Sequence, residues 1–100
     1  EHRVADDSMS GQFEAAMKNL EAALAAAGAG IGSVLHLRIY VRGEVEEHMA
    51  ALAPIMARYL GASRPAVTGI GVASLASKAT LVEVDAIARV IEGTAPHATA

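Results

Sequence analysis

Hydrophobic positions along this chain recur first at helical spacing and then at strand spacing. Phe13, Met17, Leu20, Leu24 and Ala27 fall three or four residues apart, while Glu14, Lys18 and Glu21 lie off that stripe. This spacing predicts an amphipathic helix over residues 11–27 with one buried face. Ser10 is placed to cap its start, and Gly28 and Gly30 to end it. Residues 33–42 alternate instead. Leu35, Leu37, Ile39 and Val41 share one side, and Val34, His36, Arg38 and Tyr40 share the other, which predicts a strand. A second helix is expected over residues 44–60, with Val45, Met49, Leu52, Met56 and Leu60 in its stripe and Gly61 as its stop. Pro54 lies inside it, removes one backbone hydrogen bond and should bend it. Residues 66–75, entered through Pro65, and residues 80–91 read as two more strands. In the last of these Val82, Val84, Ala86, Ala88 and Val90 share a face. Leu81, Glu83, Asp85, Ile87 and Arg89 share the opposite one. Residues 1–9 read as a tail or a strand remnant, and residues 93–100 as a tail.

The order helix, strand, helix, strand, strand is that of an α+β layer, a sheet with both helices packed on one face. Three strands alone leave two open edges. Further strands outside this chain, or pairing between copies, are therefore expected. The 100 residues form one domain, 1–100, with no linker and no internal repeat. Hydrophobic residues make up 53% of the chain and aromatic residues only 3%. Much of the apolar content is thus alanine, which buries little area, and such a chain gains burial by oligomerising. The net charge of −3 and the lack of any Lys/Arg cluster argue against a nucleic-acid partner. No apolar run reaches membrane-spanning length, so no membrane partner is expected. No signal peptide is visible at the start. The absence of cysteine removes disulfides, thiolate zinc sites and a cysteine nucleophile, and it fits a cytoplasmic location.

Candidate chemistry concentrates on the second face of the sheet, which collects His36, Arg38, Tyr40, Glu83, Asp85 and Arg89. Charged groups there must be paired or solvated. One reading is an interface salt-bridge network in which Arg38 and Arg89 neutralise Glu83 and Asp85. The other is a polar cleft at a subunit boundary, where a carboxylate positions water or moves a proton. The four histidines, 2, 36, 48 and 97, have no metal-ligand spacing, and no metal site or cofactor is expected. The glycine-rich stretch 28–32 follows a helix rather than a strand. It reads as a helix end and turn, not a phosphate loop.

Three stretches in order resemble the YjgF family, also called the reactive intermediate deaminase A (RidA) family. They are QFEAAMKNLEAALAAAG (12–28), RPAVTGIGVASL (64–75) and LVEVDAIA (81–88). Asn19, Leu20, Ala27 and Gly28 match the family's first helix, and the last stretch matches its V-E-I-D/E-A-x-A strand. The resemblance covers roughly residues 10–90. It implies a chorismate-mutase-like fold, a homotrimer with helices outside, and small-molecule clefts between neighbouring subunits. It also implies hydrolysis of reactive enamines and imines to keto acids and ammonia. Other members are called endoribonuclease or translation inhibitor.

The chain departs from the family pattern in three places. Where deaminases of the family read P-A-R-S/T, with the arginine gripping the substrate carboxylate, this chain has Pro65, Ala66, Val67 and Thr68. Valine cannot donate a bidentate hydrogen bond. Arg64 is adjacent but precedes the proline and should point elsewhere; its taking over the carboxylate stays open. Ala53 stands where the second helix often has a cleft asparagine. Family members carry a strand hairpin ahead of the first helix, and residues 1–9 offer almost no counterpart to it; its strands are expected to be disordered, removed or supplied by another chain. Glu83 matches the family's carboxylate near the reacting carbon. The resemblance therefore implies Glu83 as catalytic acid/base, with Tyr40 or Thr68 as an auxiliary donor. Val67, Gly69 and Gly71 would leave room for an apolar ligand, with Arg64 beside them. Ordinary 2-imino acid deamination is not expected. An enzyme with another substrate, a non-catalytic ligand-binding or regulatory trimer, and an assembly partner that receives strands from another chain all remain.

Overall fold

The computed structural model describes residues 7–90 and 97–99. The first helix, α1 (Met9–Ala26), buries Phe13, Met17, Leu20 and Leu24 completely, as the stripe predicts. Its start differs from expectation. Ser8, not Ser10, is the cap, its hydroxyl accepting the Gly11 N–H at 3.0 Å. The end is a Schellman motif. The Ala29 N–H reaches the Leu24 carbonyl at 2.8 Å and the Gly28 N–H reaches Ala25 at 3.1 Å. Gly28 takes φ +82°, the left-handed turn that a side chain would resist. Ala27 is the cap residue and is exposed, so the buried stripe ends at Leu24.

Strand β1 (Val34–Arg42) follows a short 3-10 turn at Ile31–Ser33. Leu37, Ile39 and Val41 enter the core as expected, but the alternation slips at the start of the strand. A bulge between Val34 and His36 turns Val34 inward and leaves Leu35 47% exposed. The expected helix 44–60 divides into a 3-10 turn, Val45–His48, and α2 (Met49–Leu60), which runs on through Pro54. Within α2 only Leu52 and Ile55 are buried. Met49 is 39% exposed and Met56 half-buried. The helix turns Leu52 and Ile55 to the core and leaves the methionines at the sheet margin.

Strands β2 (Ala66–Val72), β3 (Val82–Ala88) and β4 (His97–Thr99) complete a mixed sheet of order β2-β1-β3-β4. β1 and β2 are parallel and joined through α2, whereas β3 is antiparallel to β1 and to β4. Both β2 and β3 are shorter than expected; β2 stops at Val72 and β3 starts at Val82 because residues 73–80 form a loop held by side chains. Arg42 donates to the carbonyls of Ala73, Ser77 and Thr80 at 2.6–3.2 Å. Gln12 of α1 donates to Ala79 at 2.8 Å and accepts the Leu81 N–H at 2.7 Å. These bonds satisfy loop groups that would otherwise need water. Of the expected tail 93–100, residues 97–99 are strand rather than tail, pairing with Asp85, Ala86 and Ile87. They take up part of the β3 edge that a three-stranded sheet would leave open. The expectations for residues 1–6 and 91–96 lie outside the described residues.

Val82, Val84, Ala86 and Ala88 bury against α1 together with the inward face of β1. The two helices are tied by Glu14, which accepts from Arg58 and, at 2.6 Å, from the Tyr59 hydroxyl. The Tyr59 hydrogen bond first, then Arg58, hold the Glu14 carboxyl below its ordinary value of 4.5. A carboxyl with a lowered folded pKa binds its proton more tightly in the unfolded chain. Its contribution is therefore present above pH 4.5 and lost as pH falls through the lowered value. Glu14→Gln should lower the urea midpoint at neutral pH, and the gap from wild type should close in acid. A gap that does not depend on pH would sink this assignment.

Candidate functional site

The alternation of β1 and β3 sends polar side chains to the sheet face away from the helices, and their register brings these groups together. Arg38 lies opposite Asp85, and Tyr40 opposite Glu83. Arg38 grips Asp85 with two donors, Nε at 2.8 Å and Nη2 at 3.2 Å. The Tyr40 hydroxyl donates to the same carboxylate at 3.1 Å. The Asp85 hydrogen bond is the first cause of the raised Arg38 pKa. For Tyr40, desolvation comes first and the Asp85 hydrogen bond second, and both push the phenol up. Three donors on one carboxylate make Asp85 a positioning group that holds Arg38 and Tyr40 in place. The salt-bridge reading of this face thus holds for Arg38 and Asp85 within a single chain. Among the described residues no arginine plays that part for Glu83. Glu83 accepts the Ala76 N–H at 3.3 Å from the 73–80 loop.

The parallel register of β1 and β2 sets His36 near Thr68, with 2.8 Å between imidazole Nε2 and hydroxyl Oγ1. His36 carries no helix or turn signal that would single it out. Only its place two residues before Arg38 puts it on the polar face. Among the described residues no His, Asp or Glu cluster could hold a metal ion.

Val67 lies on the other side of the sheet. It pairs with Leu37, whose side chain is in the core, so Val67 faces the helices. It is 43% exposed because β2 is an edge strand with little above it. Two neighbouring spaces open there. The inner one, about 160 Å³, is bounded by Ile39, Val45, Met49, Leu52, Met56 and Val67, with Gly69 at its floor. The outer one, about 290 Å³, runs past Ala53, Leu60, Arg64 and Pro65, and shares Met56 and Val67 with the first. Arg64 donates from Nη1 to the carbonyls of Gly61 and Ser63, both at 2.8 Å, which fastens it to the end of α2.

The structure therefore brings Val67, Gly69, Ala53 and Arg64 into one groove, and it sets Tyr40, Thr68 and Glu83 on the opposite sheet face. Within one chain the sheet separates Val67 from Glu83. Gly71 does not leave room for a ligand. A Cβ there would meet the Gly43 carbonyl oxygen at 2.3 Å, so the space is already filled by backbone. Val45, Met49 and Met56, read in the sequence as core stripe, turn out to wall the inner space.

The family model for endoribonuclease L-PSP matches residues 1–90. No curated protein matches the chain. Among solved structures the chain is similar to the Rid-family protein YyfB from Yersinia pestis, described as of unknown function. The two are 35% identical with a TM-score of 0.77 over 87% of this chain and 66% of that one. It is similar also to a YjgF-family member from Mycobacterium tuberculosis, 29% identical with a TM-score of 0.75 over 82% and 68%. RidA from an Antarctic Psychrobacter shares the fold at 24% identity, with a TM-score of 0.75 over 83% and 65%. The chain spans about two thirds of the length of these relatives.

Proposed function

The chain belongs to the endoribonuclease L-PSP family, that of YjgF and RidA, and from that membership we propose that it binds or converts a small molecule lacking a carboxylate. The cleft is completed between copies in a homotrimer. One observation carries the reading. Val67 fills the place where the family resemblance puts the carboxylate-gripping arginine, and the groove around it is apolar. Losing such a charged donor costs several kcal/mol of binding or transition-state stabilisation, about 2–5. Against Arg64 as a replacement stand the two bonds from its Nη1 to the carbonyls of Gly61 and Ser63.

In the proposed reaction Glu83 is the acid/base that orients water, and Tyr40 or Thr68 is the auxiliary donor. These groups lie across the sheet from Val67. The cleft therefore forms where a neighbouring copy packs over the open β2 edge and encloses both faces. A nucleic-acid substrate fits poorly. The net charge is −3, and Arg38, Arg42, Arg58 and Arg64 each direct guanidinium donors to acceptors in the protein.

A non-catalytic binding or assembly role is the second reading. It is favoured by the Glu83 carboxylate accepting the loop amide of Ala76. Ammonia release from freshly generated imino acids, measured for wild type and Val67→Arg, separates the two. A silent wild type with an active variant is expected. An active wild type would overturn the reading of Val67, and silence in both would favour the non-catalytic role. A monomer in solution would remove the shared cleft altogether.

A further inference from the structure

We infer that the inner space between α2 and β2 is a binding site for a small uncharged apolar group, a ring or branched hydrocarbon about the size of benzene. The inference deepens the proposed function and rests on its reading that this chain takes a small molecule on the Val67 side of the sheet.

Volume and lining decide the class. The space is about 160 Å³. A protein cavity of about 150 Å³ lined by aliphatic and aromatic groups stays dry and takes up benzene or xenon. Here the walls are aliphatic side chains and two thioethers, from Ile39, Val45, Met49, Leu52, Met56 and Val67. No side chain among them can compensate the desolvation of a charged group. Gly69 lines the space, and a Cβ there would come within 3.0 Å of Val45 Cγ1, another of its walls.

Access is built from adaptable or small residues. Met49 is 39% exposed and Val67 43% exposed, and both stand at the margin of the space. Methionine is flexible enough to repack around ligands of differing shape. Arg64 lines only the outer groove, so among the described residues no cation lines the inner space. The site should accept benzene and reject benzoate.

The test titrates the full chain with benzene, and separately with benzoate, while following side-chain methyl signals by NMR. Saturable benzene shifts are expected at Ile39, Val45, Leu52 and Val67, with Leu20 and Leu24 in the α1 core unmoved. Benzoate at the same concentration should leave all of them in place. Gly69→Ala, whose methyl enters the space, should weaken benzene binding about tenfold or more. Val67→Thr, nearly the same in shape but carrying a hydroxyl, should weaken it as well. Absence of saturable shifts, shifts that spread to Leu20 and Leu24, or benzoate binding as well as benzene would each overturn the inference. So would a folded Gly69→Ala that binds like wild type. If Val67→Arg gains deaminase activity while wild type takes up no benzene, this inference fails and the proposed function stands. If benzene binds and neither protein releases ammonia, the site stands and the enzymatic reading falls.

Discussion

Phe13→Ala is expected to lose about 3–5 kcal/mol of folding stability, a large part of the roughly 5–15 kcal/mol typical of a small domain. Phe13 is the one phenylalanine in the chain and is 0% exposed. It sits in the buried cluster with Met17 and Leu20 of α1 and with Val82, Val84 and Ala86 of β3. Several of the residues in that cluster are alanines, which have no longer side chain to lean into a vacated space. The cavity left by the ring therefore collapses little, and the cost falls at the upper end for such changes. Urea unfolding should show a much lower midpoint with an unchanged slope. A loss under about 1 kcal/mol would mean that the core repacks freely and that α1 is not the main support of the sheet.

Gly71→Ala should be the next most damaging change, at about 3 kcal/mol, the upper end for overpacking. Its Cβ would lie 2.3 Å from the Gly43 carbonyl oxygen, a backbone atom that cannot rotate aside. Gly43 is itself held in place. Its φ is +97° and its N–H donates to the Val72 carbonyl at 3.1 Å. Relieving the clash must move the turn that leads to Val45, and with it one wall of the inner space. Gly69→Ala, two residues earlier on the same strand face, is the control. Its Cβ would meet side-chain atoms of Val45 rather than backbone, the nearest being Cγ1 at 3.0 Å, and the expected cost is about 1 kcal/mol, the lower end for overpacking. Equal melting temperatures for the two variants would show that the Gly43 turn yields, and that the contact does not set the geometry of the site.

Much of the site was legible one strand at a time. The alternation in residues 80–91 places Glu83 and Asp85 opposite Val82 and Val84, and within Val82–Ala88 burial follows that division except at Asp85. Asp85 is only 9% exposed because Arg38 and Tyr40 close over it. The same alternation puts Val67 and Gly69 together and Thr68 on the other side. What alternation within a strand cannot give is which face of one strand joins which face of the next. That depends on register, and a slip of one residue would reverse it. The pairing of Leu37 with Val67 and of Tyr40 with Glu83 is what parts Val67 from Glu83. The pairing rests on hydrogen bonds between residues about 30 and 43 positions apart in the chain, beyond the reach of any local pattern.

The sequence by itself determined the two helices and three principal strands, their order, and the α+β class. These follow from hydrophobic period and from glycine and proline at the ends of elements, all of which are local chemistry. It also carried the family resemblance and the substitution of valine at residue 67. Tertiary structure alone decided the rest. It set the fourth strand at His97–Thr99, the bulge that turns Leu35 outward, and the choice of Ser8 as cap. It also rotated α2 so that Leu52 and Ile55 are buried while Met49 and Met56 wall a cavity. Each of these depends on where a neighbouring element leaves backbone groups unpaired or apolar area uncovered. That is a property of the packed chain, and no stretch of residues holds it alone.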